Sequence, residues 1–150
     1  MREDWMRLCA LLHDDAEVQG GVARALGSTG EAAGDVDPWL VLIDELDQSG
    51  ALAYLDQADS GWELYDVLGA LPLLRESGIR LDALQDVDTL EPAIARANEV
   101  LAEHGLGVVH LDEDSEDYPL VVVKKGDVAE IVAITGRLER TVTVYAGAAQ

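Results

Sequence analysis

From Leu106 to Ala146 the order of apolar and polar positions predicts a strand, an acidic turn, a second strand, a helix and a third strand. Leu106 to Leu111 and Leu120 to Val123 are runs rich in β-branched residues bounded by turn formers, as strands are. Val128, Ile131, Val132 and Leu138 fall close to helical spacing. Thr141-Val142-Thr143-Val144-Tyr145 alternates strictly, the pattern of a half-exposed strand. Gly126 should end the middle strand.

Upstream, Trp5, Leu8, Leu12 and Ala16 mark one face of a first helix, which Gly20-Gly21 should end or interrupt before a weaker segment from Val22 to Leu26. Residues 27–34 are small and polar, so residues 1–34 read as a helical arm with a flexible linker and the body starts near Asp35. Asp37-Pro38 predicts a helix start, because Asp can accept from the orphan amides and Pro loses no hydrogen bond at the first position. That helix reaches about Gln48, is apolar nearly all round through Trp39 to Ile43, and is closed by Gly50. Ala51 to Leu55 reads as a strand. Ser60 and Glu63 match a capping box ahead of a helix through Leu64, Val67, Leu68 and Leu71. Residues 72–86 carry the weakest pattern, with a turn at Gly78 and with Leu81 and Leu84 tucked onto the core. Asp88 with Glu91 fits a cap for a helix bearing Ile94, Ala97 and Leu101, which should end at Gly105.

Counted from Ala51, the order is strand, helical region, strand, strand, helix, strand: an α+β, ferredoxin-like (split βαβ) plan with an antiparallel sheet of about four strands and added N-terminal helices. In that plan the first and third strands lie in the middle, which suits the apolar runs at Ala51 to Leu55 and Leu120 to Val123. The second and fourth become edges, which suits the polar alternation through His110, Thr141 and Thr143. Right-handed crossovers put both helices on one face, leaving the helix from Pro38 to cover the other.

Composition narrows the reading. A chain of 150 residues, about half of them apolar, is the size of one domain, residues 1–150, and can bury a core without disulfides or metals. The first residues lack a signal-peptide pattern, and no window approaches the ~20 apolar residues of a membrane span, so a cytoplasmic protein without a membrane partner is expected. The single Cys9, set among Leu8, Leu11 and Leu12, reads as an inert buried thiol. The formal charge of -20 far exceeds the magnitude of about 2–8 usual for a small domain and argues against nucleic acid as a ligand. Between Arg24 and Arg75 there is no basic residue, and from Ala97 to Val123 only His104 and His110 interrupt a second such stretch. Carboxylates gathered on one face would steer a basic partner, whereas scattered ones would serve solvation alone.

Candidate chemistry is sparse. There is no phosphate-cradling glycine loop, no nucleophile elbow and no Cys or His pair at metal spacing. His13, His104 and His110 each sit where a structural role suits them. Residues 112–117 resemble a calcium loop in composition but lack its glycine at position six and its glutamate at position twelve, so a hairpin turn with solvated carboxylates is expected. Asp44 and Asp47 are near neighbours on one helix, and Asp56 and Asp59 follow it. Paired carboxylates can do acid and base work when burial separates their proton affinities.

The segments Trp39 to Asp56 and Asp114 to Val123 resemble a family of bacterial proteins catalogued only as a domain of unknown function, over about Asp35 to Tyr145. Gln57 stands where that family is expected to carry an aromatic. The resemblance implies a bacterial, soluble, α+β protein and brings no catalytic residues with it. In topology and acidity alone, the chain is also similar to small ribonuclease inhibitors and to immunity proteins.

The leading expectation is a non-enzymatic acidic interaction module without a cofactor, binding a basic protein through Asp44, Asp47, Asp56, Asp59, Asp112, Asp114 and Asp117. The alternative is a divalent-metal-binding protein or metal-assisted hydrolase using Asp44, Asp47 and Asp56. A homodimer joined through the edge at Thr141 to Tyr145 is a third.

Overall fold

The computed structural model describes residues 2–13, 15–26, 37–113 and 115–145, so the connector expected at residues 27–34, the body start at Asp35 and the site residue Asp114 lie outside the described residues. The elements are α1 (Arg2–Leu12), α2 (Ala16–Leu26), α3 (Pro38–Gln48), β1 (Leu52–Asp56), α4 (Gly61–Gly69), α5 (Pro72–Ser77), α6 (Leu90–Ala102), β2 (Leu106–Leu111), β3 (Asp117–Lys124), α7 (Val128–Arg137) and β4 (Val142–Thr143). Single 3-10 turns cover Asp82–Leu84 and Lys125–Asp127. The protein is α+β, and no described helix is long and apolar enough to cross a membrane.

Local chemistry explains most boundaries. Asp37 accepts from the Trp39 amide (3.0 Å) with Pro38 in the first turn, and Gly50 past the end of α3 takes a left-handed φ of 83°. The Ser60 hydroxyl donates to Glu63, and its amide does so as well (2.8 Å), completing the capping box of α4; the hydroxyl first and then the amide hold the Glu63 carboxyl below its usual range. At α6 the cap residue is Thr89, not Asp88, and Glu91 reaches across to the Tyr118 hydroxyl instead. Gly20-Gly21 does not break the second segment but lies inside α2, since the interruption falls between Leu12 and Ala16, where Asp15 accepts from the Glu17 amide (2.8 Å). A Cβ on Gly21 would stand 2.6 Å from Glu45 Cδ, so a glycine here lets α2 approach α3 closely.

The sheet is antiparallel in the order β1-β3-β2-β4. Three neighbouring strands, β1-β3-β2, match the ferredoxin-like plan, but that plan sets the last strand beside the first, and here it lies beside the second. The edges are therefore β1 and β4, and β2 is interior. The reason is that β2 hides its polar residue: His110 is only 9% exposed. A right-handed crossover from β3 to a strand beyond β2 must pass over the face opposite α6, and α7 is found there. The two expected helices are thus on opposite faces. One face packs Ala53, Leu55, Val108, Leu120 and Val122 against α4, α5 and α6. The other packs Leu52, Val109, Leu111, Val121 and Val123 against α1, α2, α3 and α7.

The N-terminal helices are consequently core. Trp5, Leu8, Cys9, Leu12, Val18, Val22 and Leu26 are all buried, and burial pushes the Cys9 thiol up to about 12, as an inert cysteine requires. Bidentate pairs join Arg7 to Glu130 (2.7 Å) and Arg137 to Asp4 (2.8 Å) across α1 and α7, and Arg140 to Asp37 (2.8 Å) at the start of α3. On α7 the inward residues are Ile131, Ile134 and Thr135, while Val132 turns out to solvent.

An added Cβ at Gly61 would sit 1.9 Å from the Leu84 carbonyl oxygen and 2.8 Å from that of Val87. Both obstacles are main chain, so Gly61→Ala should cost about 1–3 kcal/mol although helix propensity favours alanine. Gly69, with nothing within 4 Å of an added Cβ, is the control, and Gly69→Ala should gain up to about 1 kcal/mol. Urea midpoints of the two variants check this, and shifts of the same sign would refute it.

Candidate functional site

The register of the β1–β3 pair sets Asp56 opposite Asp117 at the end of the sheet where the chain passes from β2 to β3. Asp56 accepts from the Ala58 amide (2.8 Å), and Asp59 folds back to accept from the Asp56 amide (2.9 Å), a tight Asx-type turn after the strand. From the exposed side of β1, the Tyr54 hydroxyl donates to Glu113 and to Asp117 (3.1 Å for the latter). Ser115 also donates to Glu113 (2.8 Å), and Gln57 donates to Glu116 (3.1 Å). Burial first, and then these two carboxylates, push the Tyr54 phenol pKa up, so it remains a donor. The result is a rim of five carboxylates, Asp56, Asp59, Glu113, Glu116 and Asp117, laced by neutral donors.

The cations lie elsewhere. Arg7–Glu130, His13–Asp15, Arg80–Asp82, Arg96–Glu99, Arg137–Asp4 and Arg140–Asp37 pair among the described residues, and none of these six pairs is on the rim. Opposed like charges such as Asp56 and Asp117 work against a sheet, so this arrangement costs stability that the fold supplies from its two cores.

Of the residues expected at a site, Asp56, Asp59 and Asp117 come together here. Asp112 adjoins them: its carbonyl accepts from Trp39 Nε1 (2.7 Å) and its amide donates to the Thr141 carbonyl (3.0 Å). Asp44 and Asp47 do not join them. They lie on the exposed side of α3, which leads into the start of β1, while Asp56 ends a strand five residues long, about 13 Å further on. Asp44 accepts from Gln48 (2.8 Å). The metal reading asks Asp44, Asp47 and Asp56 to converge, and among the described residues no three His, Cys, Asp or Glu side chains are placed to hold an ion. Tyr54, Gln57 and Ser115 were not legible as partners of the rim, because only the strand register puts them there.

Beneath the rim, on the α6 face, His110 stacks on Tyr118 (centroids 4.8 Å apart) and Tyr145 (6.0 Å), with Nδ1 2.9 Å from the Tyr145 hydroxyl. Tyr118 in turn donates to Glu91 (2.6 Å). Burial lowers the His110 pKa, against the opposing pull of Asp112, a main-chain hydrogen bond at Asp117, and the carboxylates of Glu113 and Glu91. Burial also pushes the Tyr145 phenol up to about 12, so the phenol keeps its proton beside the imidazole.

The chain belongs to the family described as a domain of unknown function (DUF6630), whose profile matches residues 4–145. The match takes in α1 and α2, which agrees with their place in the core. No curated protein and no solved structure matches the chain significantly.

His110 gives a pH signature. Its folded pKa lies below the ordinary 6.5, so its contribution is fully present above that value and is lost as the pH falls through it, because the unfolded chain takes up a proton that the folded site resists. His110→Phe should show a shallower fall in unfolding free energy between about pH 7 and 5 than the parent does, read from urea titrations. Parallel curves would dismiss the assignment.

Proposed function

We propose that the protein is a non-enzymatic acidic interaction module, inhibitor-like or immunity-like in character, whose rim of Asp56, Asp59, Glu113, Glu116 and Asp117 docks a basic surface on a partner protein. One observation carries this reading. The five carboxylates share one end of the sheet and accept from Tyr54, Gln57, Ser115 and main-chain amides, while the arginines of the described ion pairs stand elsewhere. A carboxylate without an internal cation keeps its field for an incoming one. Tyr54, 43% exposed at the centre of the rim, adds an aromatic face of the kind that anchors protein interfaces and accepts a guanidinium or ammonium.

The reading makes the interaction steered by charge and sensitive to salt. The test is affinity capture from lysate of the native host at low salt, with stepwise elution and mass spectrometry, run in parallel with the Asp56→Asn, Asp59→Asn, Asp117→Asn triple variant. A basic protein held by the parent and released over a narrow salt range should elute earlier from the variant, with a flatter salt dependence. Retention by both to the same degree would reject the rim.

A further inference from the structure

We infer that a groove at the opposite end of β2 from the acidic rim binds a small amphiphilic anion, an apolar chain ended by a carboxylate, with Lys125 holding the head group. The groove exists because the sheet is wedged open. β4 pairs with β2 only at His110 and Leu111. Continuing that register would set Tyr145 against Val108. Instead the Asn98 amide stands between them: the Val108 amide donates to Asn98 Oδ1 (2.7 Å), and Asn98 Nδ2 donates to the Tyr145 carbonyl (2.7 Å). Past this wedge the side of β2 turned away from β3 has no strand beside it among the described residues, and a space of about 470 Å³ opens between α6, β2 and the start of α7. That volume lies within the roughly 300–1,000 Å³ of small-molecule sites.

The lining sets the ligand class. Ala102, Leu106, Val128, Ala129 and Val144 present a mainly apolar wall, and Val144 is 43% exposed. An apolar wall of this kind takes a hydrocarbon body. The one carboxylate in the lining, Glu99, is paired with Arg96 (3.3 Å). Lys125 faces the space, and its amide is anchored to the Gly105 carbonyl (2.8 Å). Lys124 and Lys125 are the only lysines of the chain, and neither side chain has a partner among the described residues. In a protein of formal charge -20, an unpaired ammonium at the mouth of an apolar groove is complementary to an anion.

The same net charge supplies the control. Non-specific electrostatics favour a cationic amphiphile, so preference for an anionic one identifies the groove. Calorimetric titration with decanoate and with decyltrimethylammonium, each below its micelle concentration, is expected to show saturable binding of decanoate alone. Lys125→Gln should weaken decanoate about tenfold, and Ala129→Leu, which fills the wall from an exposed helix position, should abolish it while leaving the urea midpoint unchanged. No saturable decanoate binding, or equal binding of the cationic analogue, would overturn the inference. So would binding that emerges only after residues 146–150 are deleted, which would make the chain itself the occupant.

Discussion

A strand whose successive residues are all buried has no face to give to water, and this chain has two of them side by side. Val108, Val109 and Leu111 on β2 and Leu120 to Val123 on β3 are each almost fully buried, with alternate residues in opposite cores. A sheet of this kind is stable only when covered on both sides. The requirement explains why α1 and α2 belong to the body, why α3 buries Trp39, Leu42, Ile43 and Leu46, and why β4 can lie beyond β2 only if α7 crosses the face that α6 leaves free. Each apolar side chain so covered contributes roughly 1.5–3 kcal/mol. Against that, the entropy of ordering the chain is of similar total size, so no layer is dispensable.

The distribution of charge follows from the same architecture. With both faces of the sheet sealed by helices, acidic residues are confined to helix exteriors and to the ends of strands. Few basic residues are available to answer them, and Arg7, Arg137 and Arg140 are engaged where α1, α3 and α7 meet, holding the outer layer together. The carboxylates at the end of β1 and the start of β3 are left to neutral donors. The acidity of the rim is thus what remains after the layers have taken the cations they need. Whether a partner uses it is a separate question from why it is there.

Much of the fold was legible locally. Asp37-Pro38 before α3, Ser60 with Glu63 before α4, and the β-branched runs of β2 and β3 each specify their element through short-range hydrogen bonding or periodicity. What failed was of longer range. The strand order depends on which side of the sheet the final strand returns, and nothing within Thr141 to Tyr145 encodes that. His110 reads as an edge residue by polarity, yet Tyr145, distant by 35 positions, stacks on it and accepts it into the interior. Asp44 and Asp47 were drawn into the candidate site by nearness in sequence, which the length of β1 running between α3 and Asp56 undoes. Asp56, Asp59 and Asp117 converge because register, not spacing, sets Asp56 against Asp117.

Both ends of the sheet owe their character to an interruption of the β2 ladder, one on each side of the strand. Alternate residues of a strand address alternate neighbours, and the Lys125 amide donating to Gly105 shows that odd-numbered residues of β3 face β2. Pro119 is one of these and has no amide hydrogen, so the pairing stops at His110 with Leu120, and Leu111 finds no donor there. The same proline does no harm toward β1, where its Tyr54 pair needs nothing from it. Beyond the end of the β2–β3 ladder, Glu113 and Glu116 join Asp117 in the rim around Tyr54 and Gln57. On the other side of β2 the interruption is Asn98, whose amide substitutes for one peptide group and separates Val108 from Tyr145. A ladder stopped by an absent donor leaves a turn that carries side chains outward, and a ladder stopped by an inserted amide leaves a gap. The first leaves a charged surface, the second a lined space, and the two are separated by the length of a single strand.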